Sequence, residues 1–335
     1  MKSRRFIMIT FPLLLLAGVY FLGPSPKKPK YDLMLPVVPG NPDELQQYVT
    51  SKESQHKIRP GNGAELVWFD HSKQKTSYAV VYLHGFSASQ MEGDPVHRSF
   101  AREFGCNLYL ARLADHGIDT TESLLLFTPD RYWESAKEAL AIGKQMGEKV
   151  ILMGTSSGST LALKLAAEYP ADVYGLINLS PNIEVRNGAM FIANDPWGLQ
   201  IARLVKGGKY NVTDANEDEA RYWNKKYRLE AVSQLEELLE TTMNKKLFQR
   251  VKQPTLSMYY YKSEEEQDPT VKVSAILKMQ KELGTPYDQN IAVNMPTAGA
   301  HVLGSSLTSK DIEGVYKEIE KFAITKLKLE RNKKR

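Results

Sequence analysis

The chain has 335 residues, of which 42% are hydrophobic and 25% are charged, and its formal net charge is +5. The first 30 residues carry +6 and the last ten carry +5, so the residues between them carry about −6. Nucleic-acid binding depends on basic residues that neutralise phosphates, so this acidic central part excludes a nucleic-acid partner. The single cysteine, Cys106, excludes an internal disulfide bond, cannot form a zinc site alone, and is predicted to be an inert core thiol.

The N-terminus has the pattern of a membrane-targeting segment. A short basic head, residues 1–5, precedes an uninterrupted apolar run at residues 6–23. Signal peptides end in small residues before their cleavage site, whereas Tyr20, Phe21 and Leu22 are bulky, which favours an uncleaved transmembrane signal anchor over a cleaved signal peptide. We therefore expect a folded domain outside the cytoplasm, either anchored to the membrane or, after cleavage, secreted or periplasmic.

From about residue 60, short β-branched or aromatic runs alternate with amphipathic stretches. This alternation predicts an α/β fold with a mostly parallel central sheet and helices on both faces. The predicted strands are residues 65–69, 78–83, 107–113, 149–154, 175–179, 255–261 and 290–294. The predicted helices include residues 130–146, 159–168, 229–243 and 311–326.

About 70 residues without a clear strand signal interrupt this alternation. They predict a helical cap, residues 186–253, inserted into a core formed by residues 61–185 and 254–328. The apolar Met190, Phe191 and Trp197 suggest that the cap contacts a substrate, although a plain helical excursion without such contact is the alternative. We assign residues 1–24 to the targeting segment, residues 25–60 to a linker or N-terminal extension, and residues 329–335 to a basic tail.

The sequence Gly154-Thr155-Ser156-Ser157-Gly158 matches the pattern G-x-S-x-G. The motif lies between a buried-strand signal and an Ala- and Leu-rich helix signal, and so resembles the nucleophile elbow of α/β-hydrolases. Such an elbow holds its serine in a strained backbone conformation, and glycines flank it because larger side chains would collide. Ser156 is therefore the candidate nucleophile, and it requires a nearby base and donors for an oxyanion.

In an enzyme with this elbow, the acid and then the histidine follow the serine along the chain. His301 is the only histidine after Ser156, so it is the candidate base. The orienting acid should follow the preceding strand, where Glu264, Glu265, Glu266 and Asp268 compete. Asp268 is favoured because its position before Pro269 and a predicted helix resembles the D-x-x-V turn of this superfamily.

Two upstream segments extend the resemblance. Leu83-His84-Gly85-Phe86 resembles the HG-type oxyanion loop of α/β-hydrolases, particularly bacterial carboxylesterases and monoacylglycerol lipases. Ala114-Asp115-His116-Gly117 resembles their G-H-G turn, except that Asp115 replaces a glycine and either alters the turn or adds charge at the site entrance. The resemblance implies that the backbone N–H groups of Phe86 and Ser157 bind the oxyanion, while His84 and His116 hold the loops.

Together these features predict a serine hydrolase in which Ser156 attacks a carboxylic ester and forms an acyl-enzyme. The expected partner is a small-molecule acyl substrate of short or medium chain length, and neither a metal nor an organic cofactor is required. A peptidase, a thioesterase or an acyltransferase would use the same residues. A non-catalytic, membrane-tethered binding module is a further alternative, and the sequence leaves the oligomeric state open.

Overall fold

The computed structural model describes residues 18–214 and 216–332 of the chain. In this part of the chain the strands are β1 (Glu65–Val67), β2 (Thr76–Leu83), β3 (Asn107–Leu110), β4 (Gly147–Thr155), β5 (Val173–Leu179), β6 (Tyr210–Val212), β7 (Lys226–Arg228), β8 (Thr255–Tyr259) and β9 (Asn290–Asn294). The α-helices are α1 (Pro42–Glu53), α2 (Val96–Glu103), α3 (Pro129–Met146), α4 (Ser157–Glu168), α5 (Gly198–Lys206), α6 (Glu217–Tyr222), α7 (Leu229–Thr242), α8 (Lys245–Phe248), α9 (Val273–Glu282) and α10 (Ile312–Thr325). Short 3-10 helices cover Gln90–Gly93, Met190–Ile192 and Tyr287–Gln289.

One mixed sheet contains all of the strands that the sequence predicts. Its order is β1-β3-β2-β4-β5-β8-β9, and each neighbouring pair is parallel except β1 and β3. The central strands β2, β4 and β5 are buried over most of their length because helices cover both faces of the sheet. The mostly parallel sheet with helices on both faces is thus confirmed.

Successive residues of the central strands pack into two separate apolar layers. Val81 and Leu152 contribute to a layer beneath helices α3 and α4, whereas their neighbours Val80 and Ile151 contribute to the layer beneath α2 and α10. This division follows from the alternation of side chains along a strand. The carboxyl ends of the parallel strands lie at one edge of this double-layered core, where the loops of the candidate site emerge.

The segment inserted between β5 and β8 contains helices α5, α6, α7 and α8. The sequence showed no clear strand signal here, but β6 and β7 pair as a two-stranded antiparallel sheet that is separate from the central sheet. Each of these strands is three residues long, which is too short for an alternating pattern to be visible in the sequence.

The N-terminal extension is more ordered than the predicted linker. Residues 42–53 form α1, which begins at the capping side chain of Asn41. The residues before it lie along α3, where the indole N–H of Trp133 donates to the Asp32 carbonyl group at 2.7 Å. The buried ammonium of Lys137 contacts the Met34 carbonyl at 2.8 Å and the Asp32 carboxylate at 3.1 Å.

The two ends of the chain were assigned to a targeting segment and to a basic tail. Among the described residues, we find no helix that is both long and apolar enough to cross a membrane. This finding contradicts the predicted transmembrane signal anchor and the membrane-anchored or secreted location that was based on it. Residues 1–17, which hold most of the apolar run, lie outside the described residues. In the described part of the basic tail, Leu329 is buried and Arg331 pairs with Glu320 at 2.6 Å.

Candidate active site

Ser156 occupies the sharp turn between β4 and α4, as the elbow predicts. Its φ of 52° and ψ of −120° lie in a region that side-chain-bearing residues rarely adopt. Its backbone N–H donates to the Leu179 carbonyl at 2.9 Å, while its own carbonyl accepts from Asn182 N at 3.1 Å. These bonds to the neighbouring strand and loop stabilise the strained turn.

The two motif glycines are required by close backbone contacts. A Cβ atom on Gly158 would lie 1.9 Å from the Leu83 carbonyl oxygen of β2, and one on Gly154 would lie 2.7 Å from the carbonyl carbon of Gly158. Real Cβ atoms do not approach other atoms so closely, so glycine at position 158 lets α4 pack against β2, and glycine at position 154 lets α4 turn back over the end of β4.

The loop after β9 places His301 beside Asp268, which lies in the loop after β8. Nδ1 of His301 is 2.7 Å from Oδ2 of Asp268, and the Asp268 side chain is fully buried. Oδ1 of Asp268 also accepts hydrogen bonds from the backbone N–H groups of Thr270 and Val271, at 2.8 and 3.0 Å. The competing residues Glu264, Glu265 and Glu266 make other contacts on the outer side of the loop. Of the four carboxylates, Asp268 is therefore the one that the structure places against His301.

This pairing shifts the pKa of both groups. Burial by itself would lower the pKa of His301, but the charge and hydrogen bond of Asp268, together with the charge of Glu92, outweigh burial and raise it. Burial would raise the pKa of Asp268, but His301 and the N–H groups of Val271 and Thr270 outweigh that effect and lower it. Asp268 is therefore an anion that holds the histidine in one orientation.

The other ring nitrogen of His301 is free for chemistry. Nε2 is buried and has no hydrogen-bond partner among the described residues. With Nδ1 bonded to a carboxylate, the neutral ring carries its proton on Nδ1 and presents Nε2 as an acceptor. Ser156 and His301 line the same cavity, so the candidate base and the candidate nucleophile face one shared space.

The predicted oxyanion loop is held by the two histidines assigned to structural roles. Nδ1 of His84 is 2.9 Å from the Gly85 carbonyl oxygen, and its Nε2 accepts from Leu113 N at 3.1 Å. His116 accepts from Ser87 N at 3.0 Å. Burial lowers the pKa of both rings, to about 4 for His116, so both are neutral at pH 7.

The hydrogen bond between His84 and Gly85 also sets the direction of the Phe86 N–H. The Gly85 carbonyl points toward the His84 ring, and in a trans peptide the following N–H, that of Phe86, points the opposite way. Ser157 is the first residue of α4, so its N–H has no partner within the helix. Its hydroxyl group contacts the Tyr132 hydroxyl at 3.0 Å, and Tyr132 also donates to the His84 carbonyl at 3.1 Å.

The sequence suggested that Asp115 either alters its turn or adds charge at the entrance of the site. Its φ of 66° is the left-handed conformation that glycine would otherwise supply. Its carboxylate forms two hydrogen bonds with Arg131, at 2.7 and 2.9 Å. Asp115 does not line the site cavity, so its charge is used in an ion pair rather than at the entrance.

A cavity of about 810 Å³ extends from Ser156 and His301 into the inserted segment. Phe86 and Trp223 are among its aromatic lining residues. Its wall is largely apolar and is formed mainly by side chains of the inserted segment, including Met190, Ile192, Ile201, Val205, Val232 and Leu235. Of the three residues that the sequence singled out, Met190 lines the cavity, whereas Phe191 and Trp197 are 68% and 37% exposed and do not line it.

Glu92 is a buried acidic residue of this cavity that the sequence did not reveal. It is 2% exposed and lies in the 3-10 helix Gln90–Gly93. No motif marks it, because a single glutamate in a loop resembles any solvated surface acid. In the part of the chain that the structure describes, no cluster of three or more His, Cys, Asp or Glu side chains is suited to a metal ion. Cys106 is buried, and burial raises its thiol pKa to about 12.

Comparisons with solved structures show the same fold. A structure reported for the metagenome-derived lipolytic enzymes LipS and LipT superposes with a TM-score of 0.61 at 16% identity, covering 79% of this chain and 98% of that one. The monoacylglycerol lipase of Paleococcus ferrophilus gives a TM-score of 0.57 at 13% identity, covering 78% and 98%. A soluble variant of the monoglyceride lipase of Saccharomyces cerevisiae gives 0.57 at 14% identity, covering 78% and 90%.

The sequence comparisons identify the family. A search among curated proteins finds no match. The family model described as serine aminopeptidase, S33, matches residues 74–261, which is more than half of the chain and includes the oxyanion loop, the elbow and the inserted segment. The chain therefore belongs to the serine aminopeptidase S33 family and is a hydrolase with the α/β-hydrolase fold.

Proposed function

We propose that this protein hydrolyses a carboxylic ester of short or medium acyl chain length through an acyl-enzyme on Ser156. The observation that carries the proposal is that Ser156, strained at the start of α4, shares a cavity with His301, whose Nε2 has no hydrogen-bond partner in the described part of the chain. The opposite side of that ring is bonded to the buried Asp268. Nucleophilic catalysis by serine requires a base beside the hydroxyl group and a third group that orients this base, and these contacts support His301 and Asp268 in those roles.

In the proposed mechanism Ser156 Oγ attacks the acyl carbonyl carbon while His301 Nε2 takes the hydroxyl proton. The resulting imidazolium is stabilised by Asp268, and it then protonates the leaving alcohol as the ester C–O bond breaks. The N–H groups of Phe86 and Ser157 stabilise the oxyanion. Water then attacks the acyl-enzyme with His301 as base, which releases the acid and restores Ser156.

The inserted segment supports an apolar acyl or alkyl group as the part of the substrate that it binds. Its side chains provide most of the cavity's apolar wall, so we propose that residues 186–253 act as a cap that excludes water from that group. Proteins of the same fold include lipolytic enzymes and monoacylglycerol lipases. The partner is thus a small molecule.

Aminopeptidase activity is the second candidate, because the matching family model carries that description. Thioesterase and acyltransferase reactions use the same residues and differ in the leaving group or the acceptor. The decisive experiment compares relative kcat/KM for p-nitrophenyl esters, aminoacyl p-nitroanilides and acyl thioesters. Preference for the esters supports the proposal, and preference for the anilides would show that the protein is an aminopeptidase instead.

The nucleophile is tested in the same assay with Ser156→Ala. We expect kcat to fall by about 10⁴-fold or more, because no other group replaces the serine. The matched control is Ser306→Ala, which removes an exposed hydroxyl in the loop that follows His301. Ester turnover that survives in folded Ser156→Ala would refute the acyl-enzyme mechanism, and absence of any turnover in the unmodified protein would favour a binding module.

A further inference from the structure

Glu92 is a buried carboxyl group to which the acyl-transfer mechanism assigns no task. It lines the cavity together with Ser156 and His301 and is 2% exposed. Carboxylates are rarely buried without a hydrogen-bond or charge partner, because removal from water disfavours the charged form. Its contacts therefore indicate what it does.

The first contact is with the oxyanion loop. The Gly85 N–H donates a hydrogen bond to Oε2 of Glu92. A Cβ atom on Gly85 would lie 2.9 and 3.0 Å from the two Glu92 oxygens and 3.1 Å from Cβ of Ser156. The carboxyl group, Gly85 and the nucleophile thus share one small volume, and a side chain at position 85 would displace the Glu92 carboxyl group.

With this contact, both backbone polar groups of Gly85 are hydrogen-bonded. The carbonyl of Gly85 is held by His84, and its N–H is held by Glu92. Both polar groups of one residue are therefore anchored, directly before the peptide that carries the Phe86 N–H. A donor that is held in place before the reaction stabilises an oxyanion more than one that must reorganise.

The second contact is electrostatic. Burial raises the pKa of Glu92 to about 7, against the opposing effects of the Gly85 N–H, the charge of His301 and the Trp223 side chain. The Glu92 charge in turn contributes to the raised pKa of His301. The other titratable groups that interact with Glu92 from neighbouring elements are Tyr82 of β2 and Tyr132 of α3.

We propose that Glu92 is a positioning residue for acyl transfer, which fixes the Gly85 end of the oxyanion loop and, in its ionised form, adds a negative charge near His301. This role rests on the proposed function of Ser156. The loop contact keeps the Phe86 N–H in place, and the charge favours the imidazolium that forms when Ser156 loses its proton. Asp268 contacts His301 directly, whereas Glu92 acts on it through space.

The test is the pH dependence of kcat/KM for a p-nitrophenyl ester. Glu92→Gln removes the charge with little change of shape, so His301 loses an attraction for its proton. Because Glu92, with a pKa of about 7, is ionised over only part of the acid limb, we expect the limb to move to lower pH by roughly 0.5 unit and kcat at higher pH to fall about 10-fold. Glu236→Gln is the matched control, because burial also raises the Glu236 pKa to about 7, yet Glu236 lies on α7 and does not line the cavity.

A second variant separates charge from position. Glu92→Asp keeps the charge and withdraws it from Gly85, so kcat should fall while the acid limb stays near its original pH. Thermal unfolding shows whether Glu92→Gln folds. If it does not fold, Glu92→Asp alone tests the proposal, and an unchanged kcat in Glu92→Asp would overturn it. An unmoved acid limb in folded Glu92→Gln would overturn it as well. Failure of the unmodified protein to turn over any ester refutes the proposed function itself, so the two failures are distinguishable.

Discussion

The histidine at position 301 depends on its neighbours for both orientation and proton affinity. Its pKa is raised above the ordinary 6.5 because the charge and hydrogen bond of Asp268 outweigh the effect of burial. A base must be neutral to accept the Ser156 proton, so activity is lost as the pH falls through this raised pKa. We therefore expect the acid limb of kcat/KM to lie above pH 6.5.

Replacement of the acid by its amide tests this dependence. In Asp268→Asn the negative charge is gone, so the acid limb should move to lower pH, and kcat should fall about 10³- to 10⁴-fold because the ring is no longer held in the productive tautomer. The pH profile of ester hydrolysis measures both effects. Glu265→Gln, in the same loop, is the control and should leave the profile unchanged. An unaltered limb in Asp268→Asn would contradict the assignment of the acid.

At the scale of elements, the site depends on how closely α4 approaches β2. A Cβ at position 158 would lie 1.9 Å from the Leu83 carbonyl oxygen, and backbone on both sides leaves no room for relaxation. Gly158→Ala should therefore destabilise the protein by about 3 kcal/mol or more, measured by denaturant unfolding. Gly188→Ala is the control, because no heavy atom of the described residues lies within 4 Å of its Cβ position. Equal stability of the two variants would show that the helix can move away from the strand.

The inserted segment provides a second prediction at this scale. Val232 of α7 lines the cavity, so Val232→Trp should reduce the space for a long acyl chain. We expect kcat/KM for an octanoate ester to fall at least 10-fold relative to a butyrate ester. Val212→Trp, at a position that is 65% exposed and outside the cavity, should leave the ratio unchanged. The same ratio in both variants would argue against acyl binding by the inserted segment.

At the scale of the whole molecule, the N-terminal extension joins the core to the inserted segment. The Tyr31 hydroxyl contacts Thr241 of α7 at 2.7 Å, while Lys164 of α4 lies over the rings of Tyr31 and Trp133. A protein that starts at residue 41 should therefore be less stable by about 2 kcal/mol or more than one that starts at residue 25, measured by denaturant unfolding. Identical unfolding curves would show that the extension adds nothing to stability.

The parts of this molecule that could be predicted from sequence are those with a local pattern. Buried strands such as residues 149–154 and the glycine-flanked Ser156 are recognisable because periodicity and sterics leave few alternatives. Helix α1 and the strands β6 and β7 were missed, since they are short or polar and are stabilised by tertiary contacts. Glu92 was missed because its burial comes from the packing of the loop against Gly85, which no local pattern records.

The central claim is that Ser156 is a nucleophile activated by His301, and covalent labelling tests it most directly. The protein without residues 1–24 is treated with a fluorophosphonate probe, and the adduct is located by mass spectrometry, with His301→Ala for comparison. We predict a single adduct on Ser156 in the unmodified domain and labelling at least 100-fold slower in folded His301→Ala. No adduct on Ser156 in a folded sample, or labelling at equal rates in both proteins, would contradict the account.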